Sequence, residues 1–163
     1  AKQRANGMDV QVIRADDSQL EALLPLFNGY RKFYQQLPDE DGARAYLKAR
    51  MSNDEAVIFL AVNPDDPNHN IGFVLLYPTF DSVEMMSVWV LHDLFVDPGC
   101  RQRGIGRLLM NAAKYFCQRK GVARIDLATA TDNKQAQALY ESLGYKRDTE
   151  FYQYSLELSA LGN

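Results

Sequence analysis

Residues 94–110, LFVDPGCRQRGIGRLLM, constrain this chain more than any other stretch. Leu94, Phe95 and Val96 end an apolar run of strand character, and an amphipathic helical pattern follows. Gly104 and Gly106 stand at the junction among Arg101, Arg103 and Arg107. The first N–H groups of a helix have no intrahelical partner, and the macrodipole adds a partial positive charge there. Glycine lacks a Cβ, so a phosphate can come close to those donors. A phosphate-bearing ligand is therefore expected. A Walker A loop would end in Gly-Lys-Ser/Thr, whereas the chain reads Gly106-Arg107-Leu108. A dinucleotide fingerprint would need a glycine where Leu109 stands. Taken alone, the stretch is equally well explained by a glycine turn that permits tight strand-to-helix packing.

The remaining chain alternates two periodicities. Residues 8–15 alternate apolar and polar, as a half-buried strand does. Asp16, Asp17 and Ser18 supply cap chemistry for a helix whose stripe is Leu20, Leu23, Leu24 and Phe27, extended by Tyr30, Phe33 and Tyr34. Residues 38–42 break that pattern, and 43–51 read as a second helix. Strands are expected at 56–62 and 71–80, separated by the turn-rich NPDDPNHN. DSVE suggests a hairpin into a long strand over 85–96. The helix of residues 103–120 should bury Ile105, Leu108, Leu109, Ala112 and Phe116, with Gly121 as its C-terminal cap. A strand over 123–129, a helix over 133–143 ended by Gly144, and the alternating FYQYSLEL (151–158) as a closing strand complete the chain. The order predicts an α/β fold: a central mixed β-sheet flanked by helices, antiparallel in its first half and crossing over in its second. With 163 residues, one domain is expected over 8–158, with tails at 1–7 and 159–163.

Charge and composition narrow the function. A net charge of −3 argues against a general nucleic-acid binder, which needs a basic face. No stretch has the 18 apolar residues of a membrane span, and AKQRANGMD has no apolar run, so neither a membrane partner nor a signal peptide is expected. Cys100 and Cys117 match neither a disulfide framework nor a zinc pattern, so no metal is expected and a reducing cytoplasm fits. Cys100 has no partner base at useful spacing, and His69 falls in a polar loop where it should be solvated.

RQRGIG (101–106) resembles the R/Q-x-x-G-x-G/A motif of the GNAT family of N-acetyltransferases, and it follows a strand ending in Leu-Phe-Val as that family's motif does. NKQAQALYESLGY (133–145) is similar to a second element of the same family, N-x-x-A-x-x-L-Y-x-x-x-G-F/Y, at every fixed position. The resemblance implies a GNAT-like acyl-CoA N-acyltransferase fold whose sheet splays beside the strand of residues 85–96, with acetyl-coenzyme A in the opening. It implies that the backbone of Leu94, Phe95 and Val96 pairs with the pantetheine arm. It also implies that the segment Arg101, Gln102, Arg103, Gly104, Ile105, Gly106 and Arg107 holds the pyrophosphate, with Asn133 and Tyr140 near the coenzyme.

The implied reaction moves acetyl directly from the thioester to a primary amine. Exposing the lone pair of a lysine-like ammonium at pH 7 costs about 4.6 kcal/mol, so a base, a water chain or a desolvating pocket must assist. The resemblance assigns Tyr140 to the departing thiolate. Full proton transfer from a phenol to a thiolate is uphill by about 2 kcal/mol, so a strengthening hydrogen bond is the expected form of help. Many relatives carry a glutamate where this chain has His92. A histidine titrates near neutrality and can act as base or water relay. Strand parity puts His92 with Leu94 and Val96 and turns Asp93 to the other face. Asp93 and Glu84 are the alternative bases.

LFNGYRKFYQQ (26–36) resembles a Y-R-x-F-Y stretch in a subgroup of yeast histone and polyamine acetyltransferases. Tyr30, Phe33 and Tyr34 are therefore candidate walls of an amine pocket, and Asp39, Glu40 and Asp41 candidate attractors of cations. Core packing and helix capping are the alternatives for both sets. A small-molecule amine is the expected acceptor, with a protein lysine or a non-catalytic acyl-CoA-binding domain as rivals, and a homodimer is expected.

Overall fold

The structure, a computed structural model, describes residues 2–5 and 8–159. Two compact units divide the chain, Ala1–Ala128 and Thr129–Asn163. The first holds a six-stranded sheet: β1 (Lys2–Ala5), β2 (Met8–Arg14), β3 (Val57–Asn63), β4 (Asp66–Asp81), β5 (Met86–Val96) and β6 (Arg124–Asp126), in that spatial order. Pairings are antiparallel through β5, and β6 runs parallel to β5.

Helix α1 (Leu20–Phe33) follows a single 3-10 turn at Asp17–Gln19. Asp16 starts that turn by a capping box: its carboxylate accepts from the Ser18 N–H at 2.8 Å, and Gln19 reaches back to the Asp16 N–H at 2.7 Å. α2 (Glu40–Ser52) is capped by Asp39, which accepts from Gly42 N–H at 2.9 Å. Leu23, Leu24 and Phe27 of α1 and Leu47 of α2 form one core with Ile58, Leu60, Phe73, Leu75 and Phe95 of the sheet. α3 (Ile105–Arg119) lies on the opposite face, where Phe116 meets Phe59 and Trp89 edge-on. Both faces of β3 are thus covered, which is why 57–61 read as a continuous apolar run.

The structure corrects several expectations in this unit. Residues Lys2–Ala5, read as part of a tail, pair with β2 from Lys2↔Gln11 to Ala5↔Met8. β4 begins at Asp66, so His69 lies in a strand with its side chain 36 % exposed, not in a solvated loop. The buried face of α3 is Ile105, Leu109, Met110, Ala113, Phe116 and Cys117, with Leu108 and Ala112 at its border. That face is turned from the expected one by part of a helical step, a rotation that an apolar stripe alone leaves undetermined. β6 has three residues where seven were expected.

The second unit holds α4 (Lys134–Ser142), capped by Asn133, whose Oδ1 accepts from Ala136 N–H at 3.1 Å. Gln137 Nε2 donates to the carbonyls of Ala130 and Thr131, tying the preceding loop to the helix. Residues 151–158, expected as a closing strand, form none and are exposed. Alternation says which side chains would share a face. A strand also needs a neighbour for its backbone N–H and C=O groups, and among the described residues of this unit there is no second strand. Among the described residues no helix is long and apolar enough to cross a membrane.

Candidate active site

The site begins with an irregularity in β5. β4 pairs with it as Leu75↔Asp93 and then Leu76↔Leu91, so His92 is an extra residue, a β-bulge. The bulge overturns the parity expectation. His92 and Asp93 turn to the same side, and Nδ1 of His92 donates to Oδ1 of Asp93 at 2.9 Å. Their exposures differ sharply: 60 % for the His92 side chain and 6 % for that of Asp93. A buried carboxylate holding Nδ1–H leaves Nε2 of the more exposed ring as a proton acceptor.

Both residues line a cleft of ≈ 370 Å³ between α1, α2 and the sheet. Its walls are aromatic. Burial first, and then the neighbouring Asp93, pushes the Tyr30 phenol well above the ordinary range. Burial and a hydrogen bond with Tyr46 do the same for Tyr77. These phenols stay protonated and act as neutral partners. The Tyr77 ring meets His92 edge-on at 5.4 Å. Asp39, besides capping α2, is at the cleft wall.

Of the three aromatics singled out in α1, Tyr30 lines the cleft, while Phe33 and Tyr34 are more than half exposed outside its lining. Tyr34 touches Tyr30, with ring centroids 5.1 Å apart. Glu40 and Asp41 pair with Arg44. Glu84 faces Arg124 at 3.9 Å and is not part of the cleft lining.

Beside the cleft the sheet opens. β5 pairs with β6 only at Val88↔Arg124, Trp89↔Ile125 and Val90↔Asp126, yet β5 continues to Val96. Leu94, Phe95 and Val96 thus lie beyond the paired stretch. Asp97 then accepts from Gly99 N–H at 3.3 Å and turns the chain through Pro98–Cys100. Arg101 is engaged with the protein itself: its Nε donates to the Val96 carbonyl at 2.9 Å and its guanidinium stands over the Phe95 ring. Gln102 and Gly104 both have positive φ, 62° and 78°. Gly104 delivers the chain into α3, whose first residues are Ile105, Gly106 and Arg107.

Comparison with known proteins decides the family. Residues 21–145 match the model of the acetyltransferase (GNAT) family. The chain belongs to the GNAT family. It is an N-acetyltransferase, 43% identical over 151 residues to YhfO, an uncharacterised N-acetyltransferase of Bacillus subtilis, covering 93% of this chain and 99% of that one. A crystal structure of a probable acetyltransferase superposes with a TM-score of 0.86 at 34% identity, covering 92% of this chain and 99% of the other. The fold is also that of an aminoglycoside N-acetyltransferase solved with CoA, with a TM-score of 0.75 at 21% identity over 97% of both chains.

In this GNAT protein Asn133 and Tyr140 belong to the second unit. Asn133 caps α4, and the Tyr140 ring lies 6.1 Å from that of Tyr145. Sequence reasoning missed Tyr46, Tyr77 and the pairing of Asp93 with His92. A tyrosine in the otherwise apolar run FVLLYP was the available signal for Tyr77. Cys100, read as having no base nearby, has His69 Nε2 3.9 Å from its sulfur. Burial first, then Asp97, pushes its thiol above the ordinary range, which does not suit a nucleophile.

Proposed function

We propose that this N-acetyltransferase uses acetyl-coenzyme A and acetylates the primary amine of a small molecule in the cleft, with His92 as the base. The observation that carries this reading is His92, held by buried Asp93 at the cleft wall on the strand whose pairing with β6, among the described residues, ends at Val90. The residues present suit the coenzyme. Gly104 in the left-handed region and the N-terminus of α3 suit the pyrophosphate, and the backbone of Leu94–Val96 suits the pantetheine arm. When bound, the coenzyme supplies the acetyl thioester.

The chain's own residues do the rest. Asp39 and Asp93 outnumber the one arginine of the cleft wall, Arg31, and that excess of carboxylate favours a cation, so the amine enters as its ammonium. Nε2 of His92 accepts the ammonium proton, and Asp93 stabilises the imidazolium that results. Losing that proton costs about 4.6 kcal/mol for a lysine-like amine at pH 7, and this pair lowers the cost. Tyr140, on its motif, donates a hydrogen bond to the departing thiolate. A volume of ≈ 370 Å³ has room for a small acceptor.

The test is thiol release from acetyl-coenzyme A with a panel of small amines, lysine peptides and buffer alone. Turnover with small amines, lowered at least about tenfold by Tyr140→Phe, supports the reading. Turnover with peptides only would sink the small-molecule acceptor. Failure to bind the coenzyme would sink the whole proposal.

We also propose a homodimer. At the tip of the β4–β5 hairpin Phe80, Val83 and Met85 are each more than 80 % exposed, an apolar patch of the kind that second copies cover. Sedimentation of the wild type against Phe80→Ser/Val83→Ser tests it: a dimer is expected, with dissociation in the variant.

A further inference from the structure

Three potential metal ligands meet at the end of the sheet, away from the cleft lining. His69 comes from β4, Asp97 follows β5, and Cys100 sits in the turn before α3. Backbone register sets them there: Gly72 pairs with Val96, Asp97 N–H donates to the Ile71 carbonyl at 2.7 Å, and Cys100 N–H donates to the Asp97 carbonyl at 2.8 Å. Asp97 uses Oδ1 on Gly99 N–H. Its Oδ2 lies 3.9 Å from Nε2 of His69, and Sγ of Cys100 lies 3.9 Å from the same nitrogen. The donor atoms all fall within 4.8 Å of one another.

A cysteine–histidine–aspartate relay would place cysteine and aspartate on opposite imidazole nitrogens, because the ring passes a proton between them. Here both face Nε2. At 3.9 Å the histidine and carboxylate are too far apart for a hydrogen bond. That separation is near what two ligands on one ion require. Tetrahedral bonds of 2.0–2.3 Å put donor atoms about 3.4–3.6 Å apart, so the two pairs that His69 makes need to close by only a few tenths of an ångström.

We propose that His69, Asp97 and Cys100 form a binding site for Zn(II). One sulfur, one imidazole nitrogen and one carboxylate oxygen make a borderline-soft set that suits zinc, and the fourth position of the tetrahedron is left to water. Magnesium and calcium want all-oxygen sets. Cys100 is buried, whereas His69 and Asp97 are 36 % and 40 % exposed, so the ion has a path from solvent. Binding exchanges the thiol proton for the ion and releases the proton to water. The ion would clip β4 to the turn that leads into α3. Neither coenzyme nor catalysis is needed for it to bind.

The experiment is a Co(II) titration of the full chain carrying Cys117→Ser, which leaves Cys100 as its thiol. A near-ultraviolet thiolate-to-cobalt band saturating at one equivalent and displaced by Zn(II) is expected. Cys100→Ser should abolish it. His69→Ala, at a partly exposed position, should weaken binding at least about tenfold while the far-ultraviolet circular dichroism stays that of the parent. His69→Ala carries the test if Cys100→Ser does not fold. A folded parent with no such band in excess Co(II), or a band indifferent to His69→Ala, overturns the site.

Discussion

Consecutive strand residues normally point to opposite faces, and the bulge at His92 suspends that rule at the place where the proposed chemistry needs two neighbours together. His92→Gln keeps a polar side chain but removes the base. It is expected to lower kcat about a hundredfold or more, with KM little changed, in the thiol-release assay. Activity within twofold of wild type would remove His92 from the mechanism. Asp93 is a positioning residue, and Asp93→Asn separates it from a merely structural one. The amide keeps the shape but loses the charge that favours imidazolium. The variant should stay folded and lose about tenfold in kcat/KM. The loss should fall on kcat and leave KM little changed, because the amide leaves the cleft walls in place. A kcat within twofold of wild type would refute the pairing's role.

At the scale of elements, two glycines test how the strands and α3 are joined. A Cβ on Gly104 would meet nothing within 4 Å, so the cost of Gly104→Ala is that of holding alanine at φ 78°, about 1–2 kcal/mol. That should lower Tm by a few degrees. Gly104→Asn, which tolerates the left-handed region better, should lower it less. Gly72 has the opposite problem. Its added Cβ would stand 2.8 Å from the Phe95 carbonyl oxygen and 3.3 Å from Leu109, so Gly72→Ala should cost about 1–3 kcal/mol through backbone displacement. Calorimetry that gives Gly104→Asn a lower Tm than Gly104→Ala would refute the conformational argument. Local pattern made much of this legible. The stripes of α1 and α3, the apolar runs of β3 and β5 and the glycine junction all lie within short windows. The rest depends on partners far along the chain. The four residues of β1, KQRA, have no apolar pattern and are specified by pairing with β2. The bulge at His92 is a property of register between two strands. Tyr46 and Tyr77 meet across 31 residues, and His69 meets Cys100 across the same distance. No window on the sequence contains either pair. Residues 151–158 mislead for the converse reason: their pattern is that of a strand, and the second unit offers no strand among its described residues to pair with.

Across the whole molecule, the cleft tyrosines couple the candidate site to stability at high pH. Tyr30 and Tyr77 are about half buried, and in both the phenol's affinity for its proton is raised above the ordinary value of 10.0. For Tyr30 the causes are burial and then Asp93. For Tyr77 they are burial and then Tyr46. Below about pH 10 both folded and unfolded chains hold these protons, so the contribution to stability is complete and independent of pH. Above it the unfolded chain releases them while the folded chain retains them. The unfolded state then binds fewer protons, and the free energy of unfolding falls as pH rises. Urea midpoints should therefore drop between about pH 9 and pH 11, with the slope of the transition unchanged. Tyr77→Phe removes one of the two groups. It also breaks the hydrogen bond with Tyr46, so it should start less stable at about pH 8 and lose less between there and pH 11. The difference between the two curves isolates the tyrosine from the general effect of charge at alkaline pH. Parallel curves would mean that the Tyr77 proton is no more tightly held in the folded protein than in the unfolded one, and that burial at the cleft wall is shallower than the packing of α2 against β4 requires.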